Sequence, residues 1–310
     1  MLSNLLNRTV KNTDRATRMV QFLSQSPLPA SLKSRVLKTE ILLIAQRLRN
    51  LRRELVLKEG SIVQSRILDF EVAAFNLSTL MFLFEQIFRD HEYLFRSERA
   101  DPLIVDCGSN IGMSILFFKA LYPEARIIGF EPDEQAYALL KRNIASNGLS
   151  GVQVHRAAVG MEDSTVDFFV DPEWSGSLNS STNRNLMPKK RMVVQQVRLS
   201  TFIDGRVDLL KLDVEGAEGA VLQDLVSSGV ISNVDQIIAE YDHHIDENID
   251  KLSEFLSQLE ENGFGYQIAT QFRDENNLTS ARLSRGHAYQ TILVYAYQKG
   301  NTQAPLREDN

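Results

Sequence analysis

Two groups of residues in this 310-residue chain have the types and spacing to do chemistry. The first lies within 103–132 and reads Leu103-Ile104-Val105-Asp106-Cys107-Gly108-Ser109-Asn110-Ile111-Gly112, then, after an amphipathic run, Gly129-Phe130-Glu131-Pro132. An apolar, β-branched run stopping at Asp106 has the pattern of a buried parallel strand. Gly108 and Gly112 let the chain turn back and bring the next helix close to the sheet. Glu131, closing the next apolar run, stands where a carboxylate can accept both ribose hydroxyls of a nucleoside. The second group is Lys211, Asp213 and Glu215 at one expected strand tip, with Glu240, Asp242, His243 and His244 at another. Such residues can take a proton from a hydroxyl or amide nucleophile, worth roughly a hundred- to ten-thousand-fold in rate. Asp213 or His243 is the preferred base, and Lys211 is expected to pair with Asp213 or Glu215 and hold that acid charged. The alternative is that Asp213 and Glu240, with Asp242 or His243, hold Mg²⁺ or Mn²⁺ and acidify a bound hydroxyl.

A glycine-rich turn alone is a weak signal, and NAD competes for it. Asp106 lies two residues before the first glycine, where a dinucleotide places its pyrophosphate. A carboxylate there repels phosphate but suits the cationic amino group and sulfonium of S-adenosylmethionine. Asn110 replaces the expected central glycine and narrows the space for a phosphate. The residues therefore favour S-adenosylmethionine, with Asp106, Gly108, Ser109, Asn110, Gly112, Glu131 and Pro132 as its expected contacts. Ala157 and Ala158, small residues after the third strand, leave room for a flat adenine ring. His155 alternates within that strand and is read as structural. A nicotinamide-dependent oxidoreductase, or a non-catalytic module that keeps the fold, are the rival classes.

The same stretches resemble the FkbM family of S-adenosylmethionine-dependent methyltransferases. The likeness is carried by Val105-Asp106-Cys107-Gly108-Ser109-Asn110-Ile111-Gly112 and Gly129-Phe130-Glu131-Pro132-Asp133. It continues at Leu210-Lys211-Leu212-Asp213-Val214-Glu215-Gly216-Ala217-Glu218 and Ala239-Glu240-Tyr241-Asp242-His243, after a lead-in at 86–95. It covers about residues 62–298. The resemblance implies a Rossmann-like class I α/β fold and methyl transfer, often to hydroxyls of sugars, lipids or polyketides and sometimes to peptide amides. It also implies that the lead-in lies near the cofactor, within reach of Tyr93 or Phe95.

Positioning these residues requires a β-α-β frame. The pattern predicts strands at 103–106, 126–130, 152–156, 207–213 and, with its tip, 236–244, with an antiparallel pair, 266–270 and 290–297, completing a mostly parallel seven-stranded sheet with an antiparallel edge. Helices are expected at 113–121, 133–146 and 250–262. A second antiparallel pair, 165–170 and 192–197, flanks a polar loop with the spacing of a substrate lid. Glu218 is expected as a capping charge at a helix start.

Upstream, a helix over 31–58 carries Leu37, Ile41, Ile44, Leu48, Leu51 and Leu55 at 4-3-4-3-4 spacing, a heptad stripe. The stripe is expected to pack on its own domain, on a second copy in a homodimer, or on a membrane surface. Domain limits are expected at 1–60 for this basic segment, 61–298 for the methyltransferase domain and 299–310 for a tail. Residues 1–58 hold twelve Lys or Arg against three acids (Asp14, Glu40, Glu54), about +9, which leaves about −15 for the rest of a chain whose net charge is −6. An acidic catalytic domain repels phosphates, so nucleic acid is not an expected partner, and a small-molecule or peptide acceptor is. A single cysteine, Cys107, and no apolar run near the roughly 18 residues needed to span a bilayer place the protein in the cytoplasm as an expectation.

Overall fold

The computed structural model describes residues 26–51, 62–170, 190–243, 251–270 and 290–300. The expected lid within 171–189, the link 271–289, His244, most of the 1–28 segment and the tail from 301 lie outside the described residues. The chain divides into two compact units, Met1–Glu92 and Tyr93–Asn310.

In the first unit, helix α1 (Ala30–Leu51) is followed by a hairpin of β1 (Val63–Ile67) and β2 (Phe70–Ala74), then helix α2 (Leu77–Phe84) and one π-helical turn, Glu85–Arg89. Asn76 caps α2 by accepting the Thr79 N–H at 2.7 Å. Helix and hairpin are tied by polar bonds. The Leu68 N–H donates to Thr39 Oγ1 at 2.9 Å, Ser65 Oγ to Gln46 Oε1 at 2.8 Å, and Gln46 Nε2 to the Gln64 carbonyl at 3.2 Å. The hairpin thus belongs with α1 in one compact unit, Met1–Glu92. The stripe is also displaced. Leu32, Val36, Thr39, Glu40 and Leu43 are the buried positions among the described side chains of α1, while Ile41 is 58% exposed and Leu37 and Ile44 are half-buried. Thr39 is drawn inward because its hydroxyl satisfies a hairpin amide, which turns the helix by one position from the purely apolar register. The side chains of Leu48 and Leu51, and all of Leu55, lie outside the described residues.

The second unit is a seven-stranded sheet of order β11-β12-β10-β9-β3-β4-β5 among the described residues. Its strands are β3 (Leu103–Cys107), β4 (Arg126–Phe130), β5 (Val152–His155), β9 (Leu209–Leu212), β10 (Gln236–His243), β11 (Phe264–Thr270) and β12 (Gln290–Gln298). From β10 across to β5 every pairing is parallel, and β12 runs antiparallel to both β10 and β11. The β3–β4, β4–β5 and β9–β10 steps are crossovers through helices α3 (Met113–Leu121), α4 (Glu134–Ser146) and α5 (Glu218–Ser227), and α6 (Leu252–Glu261) leads from β10 to β11. The central strands read as nearly continuous apolar runs because both faces are covered; all four residues of β9 are buried, the charged Lys211 among them.

A three-stranded sheet of order β6-β8-β7 interrupts the winding between β5 and β9, formed by β6 (Ala158–Gly160), β7 (Ser164–Val170) and β8 (Lys190–Arg198). The β7/β8 pair matches the sequence pattern; β6 does not, being three small or branched residues with no periodicity to read. The winding runs outward from β3 through β4 to β5, then returns to place β9 on the other side of β3. That reversal, between the carboxyl ends of β3 and β9, is the topological switch point where ligands bind in open α/β sheets.

Candidate active site

The residues at the switch point come first from the glycine turn. Gly108 has φ +85°, and a Cβ built there would lie 1.9 Å from the Asp213 carbonyl oxygen, so only glycine lets the turn pass the tip of β9. The amides of Gly108 and Ser109 both donate to the Phe130 carbonyl, at 3.0 and 2.9 Å, which locks the turn to the end of β4. Gly112, at φ +92°, brings α3 against Leu140, whose Cδ1 a Cβ would meet at 2.8 Å. Asn110 takes the left-handed region at φ 46° without being glycine, and its Oδ1 accepts the Ile111 N–H at 2.7 Å. The hydroxyl of Ser109 is buried and turns back to the Asp106 carbonyl at 3.0 Å.

Glu131 lies where the sequence placed it. Its Oε2 accepts the Asn110 N–H and its Oε1 the Asp133 N–H, both at 2.8 Å. Burial dominates over these bonds and pushes the carboxyl up to about 8. Each oxygen keeps a further lone pair, so two hydroxyl donors can be accepted with the backbone bonds intact. Pro132 is half-buried beside it, and Ala157 and Ala158 are buried just past β5. His155 stacks on Phe130 at 5.2 Å and meets Phe202 edge-on at 4.8 Å, a packing role. These residues fit an adenosine-like group; the diol acceptor, the small-residue floor and the tight turn are all present.

Asp106 has a different place from the one expected. It is fully buried, its Oδ2 accepts the Ser114 hydroxyl at 2.6 Å, and its Oδ1 lies 3.2 Å from Lys211 Nζ. The carboxylate is therefore already neutralised by an ammonium of this chain and is not an open partner for a ligand cation. Lys211 is the hub. Its ammonium lies 3.1 Å from Asp213 Oδ2, donates to the Gly108 carbonyl at 2.9 Å and the Cys107 carbonyl at 3.3 Å, and sits 5.0 Å above the Tyr93 ring. Burial alone would lower its pKa, but the Asp213 and Asp106 carboxylates outweigh that and hold it above the ordinary lysine value. Cys107, at the tip of β3, is a buried thiol pushed up chiefly by that burial, so it is inert.

The acid group gathers at the tips of β9 and β10. Asp213 is one-quarter exposed, and its Oδ2 takes both the Lys211 ammonium and the Tyr93 hydroxyl at 3.1 Å. Tyr93 also lies 3.2 Å from Glu240 Oε2. Glu215 adopts φ 55°, and burial, then the charges of Asp242, Asp213, Glu240 and Glu218, raise its carboxyl well above the usual range. Glu218 is buried at the first position of α5 and accepts the N–H groups of Val214 and Gly216 at 3.1 Å, so it closes the loop rather than only facing the helix end. Burial first, then Asp242, pushes it up to about 8. Asp242 is buried on β10, and His243 ends that strand opposite Gln290, its side chain outside the described residues. The metal alternative is not supported. Among the described residues no three His, Cys, Asp or Glu side chains are disposed to hold an ion, and Asp213 turns one oxygen to an ammonium and a phenol instead.

Sequence reasoning placed Asp213, Lys211, Glu215 and Glu240 together, as the structure does. It missed Ser114, which holds Asp106, and the role of Tyr93, which was expected near the cofactor and is found bound to two acids. An eight-residue spacing from Asp106 to Ser114 across a turn carries no readable signal.

Strand order, glycine turn and the carboxylate-bearing strand tips beside one switch point define the α/β class of methyltransferases. Residues 106–266, just over half of the chain, match the family described as Methyltransferase FkbM domain, and the chain belongs to that family. It is 35% identical over 165 residues to Methyltransferase 1 of Beauveria bassiana, covering 46% of this chain and 66% of that protein. It is 27% identical over 228 residues to the 31-O-demethyl-FK506 methyltransferase FkbM of Streptomyces tacrolimicus, covering 62% of this chain and 85% of that one. The 2-O-methyltransferase NoeI of Sinorhizobium fredii is 28% identical over 142 residues, covering 40% of this chain and 58% of that one. The matched part thus spans under two thirds of two of these relatives. Among the described residues no helix is long and apolar enough to cross a membrane.

Proposed function

We propose that this chain uses S-adenosylmethionine to methylate a hydroxyl on a small molecule of sugar, lipid or polyketide type. The observation that carries the reading is the contact between the cofactor turn and the acid tips: Gly108 packs directly on the Asp213 backbone, so a donor held by the turn is beside Asp213. The bound cofactor supplies an electrophilic methyl on a sulfonium. Glu131 accepts its ribose hydroxyls while the backbone N–H groups of Asn110 and Asp133 fix the carboxylate. Asp213, its Oδ2 held by Lys211 and Tyr93, presents Oδ1 as the acceptor of the substrate proton. Holding nucleophile and donor in line contributes roughly 7–11 kcal/mol, and the base the remainder of the local effect. Two relatives whose names specify transfer to oxygen support the hydroxyl acceptor.

Calorimetry on the full chain should show binding of S-adenosylmethionine and its demethylated product, with Glu131→Ala weakening both by about 1.5–3 kcal/mol, roughly 10- to 150-fold. Transfer of a labelled methyl should then appear on a hydroxyl member of a panel holding methyl glycosides, a fatty alcohol, a hydroxylated macrolactone and a glutamine-containing peptide. Tighter binding of NAD sinks the cofactor assignment, and label on the peptide alone moves the acceptor from oxygen to nitrogen.

A further inference from the structure

We infer that Tyr93 is a positioning residue whose hydroxyl lies between Asp213 and Glu240 and donates its one hydrogen to either of them, linking the tips of β9 and β10 into one proton-accepting unit. The inference rests on the methyl-transfer reading for its catalytic consequence, but not for its geometry. Tyr93 lies 120 residues from Asp213 and 147 from Glu240, and its oxygen is 3.1 and 3.2 Å from one carboxylate oxygen of each. A phenol carries one hydrogen, so it donates to one of the two acids at a time. Leaving both acids to face each other without it would set like charges side by side. The ring is also fixed: Tyr93 is 4% exposed, and the Lys211 ammonium sits 5.0 Å over its face.

The consequence falls on Asp213. Its Oδ2 is the shared target of the ammonium and the phenol, and among the described residues Oδ1 has no such donor. When the phenol donates to Asp213, two donors on one oxygen fix the plane of the carboxylate and point the other oxygen outward. Lys211 alone cannot do this, because it also serves Asp106 and two turn carbonyls. Tyr93 therefore aims the base, and it does so from β10 as well as β9 through Glu240.

The test is a pair of thermal double-mutant cycles on the full chain, Tyr93→Phe with Asp213→Asn and Tyr93→Phe with Glu240→Gln. Phenylalanine keeps the ring beneath Lys211 and removes only the oxygen. Tyr93→Phe should lower the melting temperature by about 3–8 °C, and both cycles should be non-additive, the second removal costing clearly less than the first. Additivity in either cycle overturns the bridge whether or not any acceptor is methylated. Where the panel above yields an acceptor, Tyr93→Phe should lower kcat about 10- to 100-fold with KM for S-adenosylmethionine within threefold of wild type. Unchanged kcat with non-additive cycles would reduce Tyr93 to a structural tie and overturn the positioning role. Absence of any methyl transfer by the wild type counts against the proposed function alone, since the cycles still decide the bridge.

Discussion

The turn after β3 and the acid tips of β9 and β10 lie against each other but are built in opposite ways. The turn is backbone made: Gly108, Ser109 and Asn110 place amides on Phe130 and Glu131, all within 24 residues of one another. The acid tips are side-chain made: Tyr93, Asp106, Lys211, Asp213 and Glu240 come from four separate segments and are held by charge. A backbone site is fixed by a few residue types with permitted dihedrals. A charge-held site depends on every member being present, because each remaining charge would be buried without its counterion.

If that contrast is right, the largest effect belongs to the hub. Lys211→Met should destabilise the protein by about 3–5 kcal/mol by leaving the Asp106 carboxylate buried without its cation, measured by urea denaturation, and Asp106→Asn in the same chain should recover part of it. A loss under about 1 kcal/mol would show that the acids do not depend on Lys211. Next is Asp213→Asn, which is nearly isosteric: turnover should fall at least about a hundredfold while calorimetry finds cofactor affinity within a few-fold of wild type. Retained turnover would move the base to another residue.

The third prediction concerns pH. Glu131 and Glu218 are both pushed up to about 8 from an ordinary 4.5, chiefly by burial. A raised folded-state value means that the folded chain binds the proton more tightly. Their contribution is complete below about 4.5 and is lost as pH rises through about 8. The melting temperature of the ligand-free protein should therefore fall between pH 5 and pH 9, and Glu218→Gln should flatten the slope. A melting temperature that rises across this window contradicts the assignment.

The smallest effect is in the first unit. Ile41→Asp, on a face 58% exposed, should change stability by less than about 0.5 kcal/mol, whereas Leu43→Ala, at 1% exposure, should cost about 2–5 kcal/mol. Light scattering of Ile41→Asp adds a check: a halved mass would show that a second copy covers that face.

The amino-acid sequence by itself determined the β3–α3–β4 unit, with α3 at Met113–Leu121 as the apolar spacing predicts, and with Glu131 at a strand tip. Those features are local: strand pattern, glycine at positive φ and helix-stopping Pro123 act over a few residues. It also marked where the strands fall along the chain and the closing antiparallel β11/β12 pair, because apolar runs and alternation record how far each strand is covered. What only the tertiary structure decided is who pairs with whom. Lys211 reads as a charge on a central strand that must be paired, and no pattern in the chain says that Asp106, 105 positions earlier, is one of its partners. The stripe on α1 shows the same limit, since Thr39 displaced the apolar register only because a hairpin amide, Leu68 N–H, needed an acceptor. Tyr93 is the clearest case. It stands in a run with Phe88 and Phe95 that reads as packing, and only closure of the sheet brings two carboxylates, from the tip of β9 and from β10, to its hydroxyl.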